Sequence, residues 1–289
     1  MKYILFLALV FCVVSCKHDH NYINYYNEVY RIDSIYRFKK DTLSAIGQYR
    51  KLFKKYEPVQ NVRLQEYENF IRLSDKYKLK FGGKKALYKL IPQVAPYWKY
   101  KRQDPVFIGL YKKYGIDSLE MERKFTDWKK GLNKQLVDSF SIAFDRSQGL
   151  QQSDSLGSLR KLESKKNADL MLWTFKNFGY PSLQKIGLYG NNEVFMPMSS
   201  FLSRLAESED YDYFKTKLLD YIKSGECPPR DYIDMVEMYN ASHKKDTEYG
   251  IYYPTDYVLD SVKIDRSRKL IGFPSIKQWG KISIESWKK

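Results

Sequence analysis

The sequence predicts an all-α fold, built as a multi-helix array or bundle with short loops. Apolar residues recur at helical spacing almost throughout, and glycines and prolines punctuate the ends of these stretches. No convincing run of alternating polar and apolar residues appears, although residues 249–258 could be extended locally. The chain has 289 residues, enough for one large helical domain or two modest helical subdomains.

The N-terminal half is predicted to be a basic helical region over residues 29–146. Between residues 81 and 105, two adjacent glycines and three prolines predict several short helices rather than one long helix. Residues 117–148 contain few helix breakers, so we expect a long helical stretch there.

The C-terminal half is predicted to be a second helical region over residues 147–289. The polar segment 147–158 (SQGLQQSDSLGS) is the best internal boundary by composition, and it fits equally well as a loop inside a continuous array. One helix should end at Gly179, and another at Gly225, because glycine readily adopts a positive φ at helix ends. Pro229 should open the next helix.

The first sixteen residues, MKYILFLALVFCVVSC, resemble the signal of a bacterial lipoprotein. Lys2 precedes about twelve apolar residues, which are too few for a permanent transmembrane helix of about 20 residues. The closing residues 13–16 resemble a lipobox, the site where such precursors are cut and acylated on cysteine. We therefore expect a signal peptide over residues 1–15 and a lipid such as palmitate on Cys16.

Lipidation would place the protein in the cell envelope, attached to a membrane through Cys16, with residues 16–28 as a polar tether. Lys17 is not an inner-membrane retention signal, which favours the outer membrane of a Gram-negative bacterium. Once Cys12 leaves with the signal and Cys16 is acylated, Cys227 is alone, so no intrachain disulfide is expected. Cys227 is expected to be a small buried hydrophobic residue.

The charge of the chain is strongly positive, with a formal net charge of +16. Residues 51–100 alone carry 12 basic and 4 acidic residues. In an exported protein this argues against nucleic acid, and it favours anionic lipids or acidic glycans of the envelope as partners. The alternative is a solvated surface that serves solubility.

From about Phe144 onward the chain carries several short signatures in a fixed order. They are Asp145-Arg146-Ser147-Gln148, Asn167-Ala168-Asp169, Phe178-Gly179-Tyr180-Pro181-Ser182, Ile186-Gly187, the Gly225 to Met235 turn, Tyr249-Gly250, and VKIDRSRKLIG at 262–272. In this order they resemble the domain of unknown function family 6624. The resemblance covers about half of the chain that follows the signal.

Two departures from the family pattern bear on chemistry. Family members usually carry a His-Ala-Asp-like step after the central helix, whereas this chain has LAESED at 205–210, with Glu207 near the place of the histidine. The glutamines around the Tyr249-Gly250 pair are also absent. If the family uses that histidine, this chain is a binding or structural derivative.

The sequence offers few catalytic candidates. No metal site or cofactor is expected, since His18 and His20 lie in the predicted tether and His243 lies in a charged run. Glu207 and Asp210, within the acidic segment 207–212, could act as acid and base on a glycoside. The simpler explanation, which the sequence favours, is that they cap a helix beginning near Asp210 and complement its dipole.

Tyr249, Arg266 and Arg268 are the candidate ligand-binding residues, since two arginines beside a tyrosine could line a pocket for an anion. The sequence thus favours a membrane-anchored envelope lipoprotein that binds or scaffolds. The alternatives are an envelope hydrolase of a glycan or peptide that uses residues 207–212, and a polyanion-binding module built on the basic half.

Overall fold

The structure is a computed structural model that describes residues 21–59, 61, 63–150, 157–253 and 258–286. Within these ranges the chain is all-α, as predicted: it forms no β-strand, and its only β-type pairing is an antiparallel bridge between Tyr189 and Phe195. None of the described helices combines the length and apolar character needed to span a membrane.

The α-helices in chain order are α1 Tyr22–Arg37, α2 Thr42–Lys55, α3 Glu66–Lys76, α4 Gly83–Val94, α5 Trp98–Lys101, α6 Pro105–Lys113, α7 Ser118–Lys130, α8 Lys134–Leu150, α9 Gly157–Asn177, α10 Leu183–Ile186, α11 Met198–Arg204, α12 Tyr211–Ser224, α13 Pro229–Ser242, α14 Ser261–Leu270 and α15 Ile276–Ser286.

The predicted helix ends in the C-terminal half are confirmed. α9 ends just before Gly179, which has a φ of 73°, and α12 ends at Gly225, with a φ of 83°. α13 begins at Pro229. These ends depend on local backbone chemistry, since glycine tolerates a positive φ and proline suits the first turn.

The stretch 117–148, predicted as one long helix, is divided into α7 and α8. α7 ends at Lys130, and the backbone N–H of the following Gly131 donates to the backbone carbonyl of Asp127. The side chain of Asn133 accepts a hydrogen bond from the backbone N–H of Leu136 at 3.0 Å, which caps the start of α8. The break therefore comes from a capping asparagine behind a glycine rather than from a proline.

Helix α1 begins at Tyr22, inside the segment 16–28 that is predicted as a tether, so residues 22–28 belong to the helical array instead. The side chain of Asn21 caps α1 by accepting from the backbone N–H of Ile23 at 2.9 Å. Tyr25 and Tyr26 are buried, with exposed fractions of 0% and 3%. Their polar hydroxyls made the segment look like a linker, but their rings belong to the core.

Helix α1 also joins the two halves of the chain. Asn27 donates to the backbone carbonyl of Lys269 at 3.0 Å, and Gln278 donates to the carbonyl of Tyr30 at 2.7 Å. Arg37 pairs with Glu285 near the end of α15. One continuous hydrophobic core therefore includes buried residues from both halves.

The predicted internal boundary at 147–158 begins within a packed helix pair. Ser147 lies in α8, is buried, and accepts a hydrogen bond from the side chain of Asn167 in α9 at 3.2 Å. Residues 151–156 lie outside the described residues. The described part of this segment thus belongs to the helical array.

Candidate functional site

A pocket of about 320 Å³ lies where α5 and α7 meet the turn after α10. We call it the aromatic–cationic pocket. It is lined by Ala95, Pro96, Trp98, Lys99, Arg102, Phe125, Trp128, Lys129, Leu132, Gly187, Leu188, Tyr189, Gly190 and Glu193. Its volume lies at the lower end of the range of about 300–1,000 Å³ that is typical of small-molecule sites.

A ladder of three aromatic rings forms one wall of this pocket. Trp98 stacks on Phe125 with ring centroids 5.2 Å apart, and Phe125 stacks on Trp128 at 5.8 Å. The indole N–H of Trp98 donates to Glu122 at 3.0 Å, and that of Trp128 donates to Gln184 at 2.8 Å. Both indoles are therefore held in place, while Phe125 and Trp128 stay half-exposed.

Three exposed cations surround the aromatic wall. The ammonium of Lys99 lies 5.5 Å from the ring centre of Tyr189, a cation–π distance. Among the described residues, Lys99, Arg102 and Lys129 have no partner in an ion pair. Glu193 is the single carboxylate in the lining. The pocket thus combines flat apolar faces with an excess of positive charge.

The turn that carries Glu193 is rigid. The backbone N–H of Gly190 donates to the backbone carbonyl of Val194 at 2.8 Å. The backbone N–H of Asn191 donates to the hydroxyl of Ser141, in α8, also at 2.8 Å. Asn192 and Glu193 both have a positive φ, 53° and 58°, which is uncommon for residues other than glycine. Consecutive left-handed residues of this kind are enriched at functional sites.

The predicted ligand residue Arg268 is buried and performs a structural role. It is 1% exposed, and its guanidinium donates to the backbone carbonyls of Tyr249 at 2.8 Å, Gly250 at 3.2 Å and Pro274 at 3.2 Å. Burial lowers the pKa of Arg268 to about 10. Tyr249 is also buried, whereas Arg266 is exposed, so these three residues do not share an open pocket.

Sequence reasoning missed Glu237, which organises the same region. Its buried carboxylate accepts backbone N–H donors from Glu248 and Tyr249, both at 2.8 Å, and from Ile251 at 3.2 Å. It also accepts from the backbone N–H of Tyr252 and from the hydroxyl of Thr247. The sequence does contain a sign of this role: Glu237 is an acidic residue that directly follows Met235 and Val236 on the buried side of α13.

Of the two carboxylates proposed for catalysis, only that of Glu207 lines a groove. Glu207 is exposed and lines a small groove of about 290 Å³ together with Ser208, Tyr239, Ser242 and His243. Asp210 precedes α12 but is not among the residues that line this groove, and its side chain makes no capping hydrogen bond. The groove therefore joins Glu207 with His243 rather than with a second carboxylate.

Cys227 is buried, and burial raises the pKa of its thiol well above the ordinary value. Nearby, the Tyr180 hydroxyl donates to the carboxylate of Asp231 at 2.5 Å. Burial raises the pKa of Asp231 to about 7, although the bond from Tyr180 opposes the shift. Asp231 is half-buried at the start of α13, and its raised pKa places its titration near neutral pH.

No group of three or more His, Cys, Asp or Glu side chains suited to a metal occurs within the described ranges. Cys16, His18 and His20 lie outside the described residues. Comparison of the chain with family models, with curated proteins and with solved structures gives no match. The resemblance to the domain of unknown function family 6624 therefore stays a prediction.

Proposed function

We propose that the protein is a membrane-anchored cell-envelope lipoprotein that binds an acidic saccharide in the aromatic–cationic pocket. The anchor rests on the lipobox-like residues that end at Cys16. The ligand class rests on one observation: partly exposed aromatic faces and three cations converge on the same pocket.

The chemistry of the pocket suits a sugar that carries a negative charge. Pyranose rings offer flat faces of C–H groups, and these pack on a partly exposed aromatic ring such as that of Trp128, at the end of the ladder. A carboxylate, sulfate or phosphate on the sugar would be bound by Arg102 and Lys129, because charge-assisted hydrogen bonds are stronger than neutral ones. Glu193 would accept hydrogen bonds from sugar hydroxyls.

A matched pair of lysine variants tests this proposal. Lys129 and Lys130 are adjacent, exposed residues at the end of α7, but only Lys129 lines the pocket. We expect Lys129→Gln to weaken the binding of an oligogalacturonate about tenfold, which corresponds to the loss of about 1.4 kcal/mol, and Lys130→Gln to leave it unchanged. Titration of tryptophan fluorescence measures both affinities.

A neutral maltooligosaccharide serves as the ligand control, since it offers the same ring faces without charge. It should bind more weakly than the oligogalacturonate and should not distinguish the two lysine variants. Equal losses in Lys129→Gln and Lys130→Gln would attribute binding to net charge alone and would contradict a defined pocket.

The alternative function is an envelope hydrolase centred on Glu207. The observation that favours it is the shared groove, which brings Glu207 beside His243 and two serines. Glu207→Gln separates the two functions: it should abolish hydrolysis of a glycan or peptide if the groove is catalytic, and it should leave oligogalacturonate binding unchanged. Glu209→Gln, at a nearby exposed carboxylate outside the groove lining, is the control.

A further inference from the structure

Two adjacent pockets of about 300 and 520 Å³ flank residues 80–82, and we call them together the cationic groove. Both pockets share Lys80, Phe81 and Gly82 in their lining. The cations that line the groove are Arg50, Lys54, Lys78, Lys80, Lys89 and Lys113. The groove thus concentrates the positive charge that the sequence places in residues 51–100.

Three of the six cations that line the groove are available to a ligand. Asp75 is the one carboxylate in its lining, and it already accepts from Lys113 at 2.7 Å and from the hydroxyl of Tyr114 at 2.7 Å. Lys54, Lys78 and Lys80 are exposed, and none of them has an ion-pair partner among the described residues. These three ammonium groups therefore face solvent together.

The groove has a fixed aromatic base. Phe53 contacts Tyr67 with ring centroids 5.1 Å apart, and Phe81 contacts Tyr114 at 5.2 Å. The guanidinium of Arg50 donates to the backbone carbonyl of Lys80 at 2.9 Å, which ties α2 to the segment between the two pockets. The cations are thus presented by packed elements of the fold.

The groove also lies close to the start of α1. The hydroxyl of Tyr22, the first residue of α1, donates to the backbone carbonyl of Glu57 at 3.3 Å. The carboxylate of Glu57 pairs with Lys89, which lines the groove. Cys16 lies six residues before Tyr22, so at about 3.5 Å per residue its Cα is within about 21 Å of that of Tyr22.

We propose that the cationic groove docks on anionic phospholipid headgroups of the leaflet that holds the Cys16 lipid. This inference rests on the proposed lipid anchor, because the anchor places the groove within reach of the bilayer. The lipid holds the protein at the membrane, and the groove fixes its orientation by binding phosphate oxygens. Such contacts act over about 8 Å at physiological ionic strength, so only cations that lie close to the lipid headgroups contribute.

Vesicle sedimentation tests the groove separately from the lipid. The chain from residue 16 onward, with Cys16→Ser, keeps every described residue and takes no acyl chain. This protein should bind vesicles that contain phosphatidylglycerol and should not bind vesicles of pure phosphatidylcholine. Its affinity for the anionic vesicles should fall steeply as the salt concentration rises.

A matched set of charge variants locates the binding surface. Lys54→Gln, Lys78→Gln and Lys80→Gln combined should weaken partitioning about 100-fold at low salt, at about fivefold for each cation. The control removes three other exposed lysines, Lys176, Lys244 and Lys263, and should change partitioning by less than about threefold, because these residues do not line the groove. Circular dichroism confirms that both triple variants fold.

Three results would overturn the docking proposal. They are equal losses in the two triple variants, no binding to phosphatidylglycerol vesicles at low salt, and binding to lipopolysaccharide without binding to phosphatidylglycerol. Fatty-acid labelling of the unaltered full chain tests the anchor independently. Absence of fatty-acid label on Cys16 would refute the lipoprotein proposal. Vesicle binding that does not depend on the three groove lysines would refute the docking proposal.

Discussion

Replacing the buried carboxylate of Glu237 by an amide tests whether this one side chain holds residues 247–252 in place. One oxygen of Glu237 accepts from the backbone N–H groups of Glu248 and Tyr249, and the other accepts from Ile251, Tyr252 and the Thr247 hydroxyl. Glu237→Gln turns one of these oxygens into an NH₂ group that faces donors.

The cost can be worked from those contacts. The threonine hydroxyl can rotate and accept from the new amide, but the N–H groups of Ile251 and Tyr252 lose their acceptor. Hydrogen bonds to a charged group contribute about 1.5–3 kcal/mol each, and the bond from Tyr252 is long at 3.4 Å. We therefore expect a loss of about 3 kcal/mol in the free energy of unfolding.

Thermal unfolding followed by far-ultraviolet circular dichroism measures this loss. At about 2 °C per kcal/mol for a chain of this size, Glu237→Gln should lower the Tm by about 6 °C. Glu209→Gln is the control, since Glu209 is exposed and should shift the Tm by less than about 1 °C. A Glu237→Gln shift no larger than that of the control would refute the structural role.

Substitutions at four other positions test the helix packing, the lipid anchor on Cys16 and the carboxyl group of Asp231. Gly225→Ala places a Cβ 2.7 Å from the Tyr22 ring and should lower the free energy of unfolding by about 2 kcal/mol or more. Gly47 lies inside α2 with open space around it, so Gly47→Ala should raise the free energy of unfolding by about 0.5–1 kcal/mol. Thermal melts measure both changes. Cys16→Ser should abolish fatty-acid labelling, and it should abolish membrane sedimentation at high salt, where the cationic groove no longer binds. Asp231→Asn should flatten the dependence of stability on pH.

The sign of the Asp231 effect follows from proton linkage. Its pKa is raised from 3.8 to about 7, so between these values the folded state holds a proton that the unfolded state has lost. The stabilisation is complete below about pH 4 and disappears as the pH rises through about 7. Urea denaturation across this range measures it.

Each of these predictions has an outcome that contradicts it. Equal melting temperatures for the two glycine variants would mean that Tyr22 moves aside without cost. Fatty-acid label retained in Cys16→Ser would exclude the lipobox. If the free energy of unfolding of Asp231→Asn varied with pH as it does in the unaltered protein, another group would be responsible for the titration.

Sequence reasoning predicted the parts of the fold that depend on local chemistry. The ends of helices at Gly179 and Gly225 and the start at Pro229 followed from neighbouring residues alone. The break at residues 131–133 was missed because a capping asparagine is a weaker signal than a proline. Tyr25 and Tyr26 fell within the predicted tether because their partners, the carboxylate of Glu66 and the carbonyl of Cys227, lie far away in sequence.

The candidate site was harder to predict because its parts come from distant segments. Residues 98–102, 125–129 and 187–193 meet only in the folded chain, although Phe125 and Trp128 at i, i+3 gave a local hint of an aromatic face. Arg268 was chosen as an anion ligand because two arginines beside a tyrosine could line a pocket. Its burial is decided by the carbonyls of Tyr249, Gly250 and Pro274, which no local pattern reveals.

Helix α1 receives several of its polar partners from the last two helices. The bond from Gln278 to Tyr30 closes a separation of 248 residues, and the pair of Arg37 with Glu285 closes an equal one. Contacts this distant are formed slowly, because the chain must first pay the entropy of closing a long loop. During synthesis from the N-terminus, α1 therefore cannot form its final contacts until the C-terminal residues have emerged. Tension applied at the N-terminus acts directly on the contacts of α1 with α14 and α15.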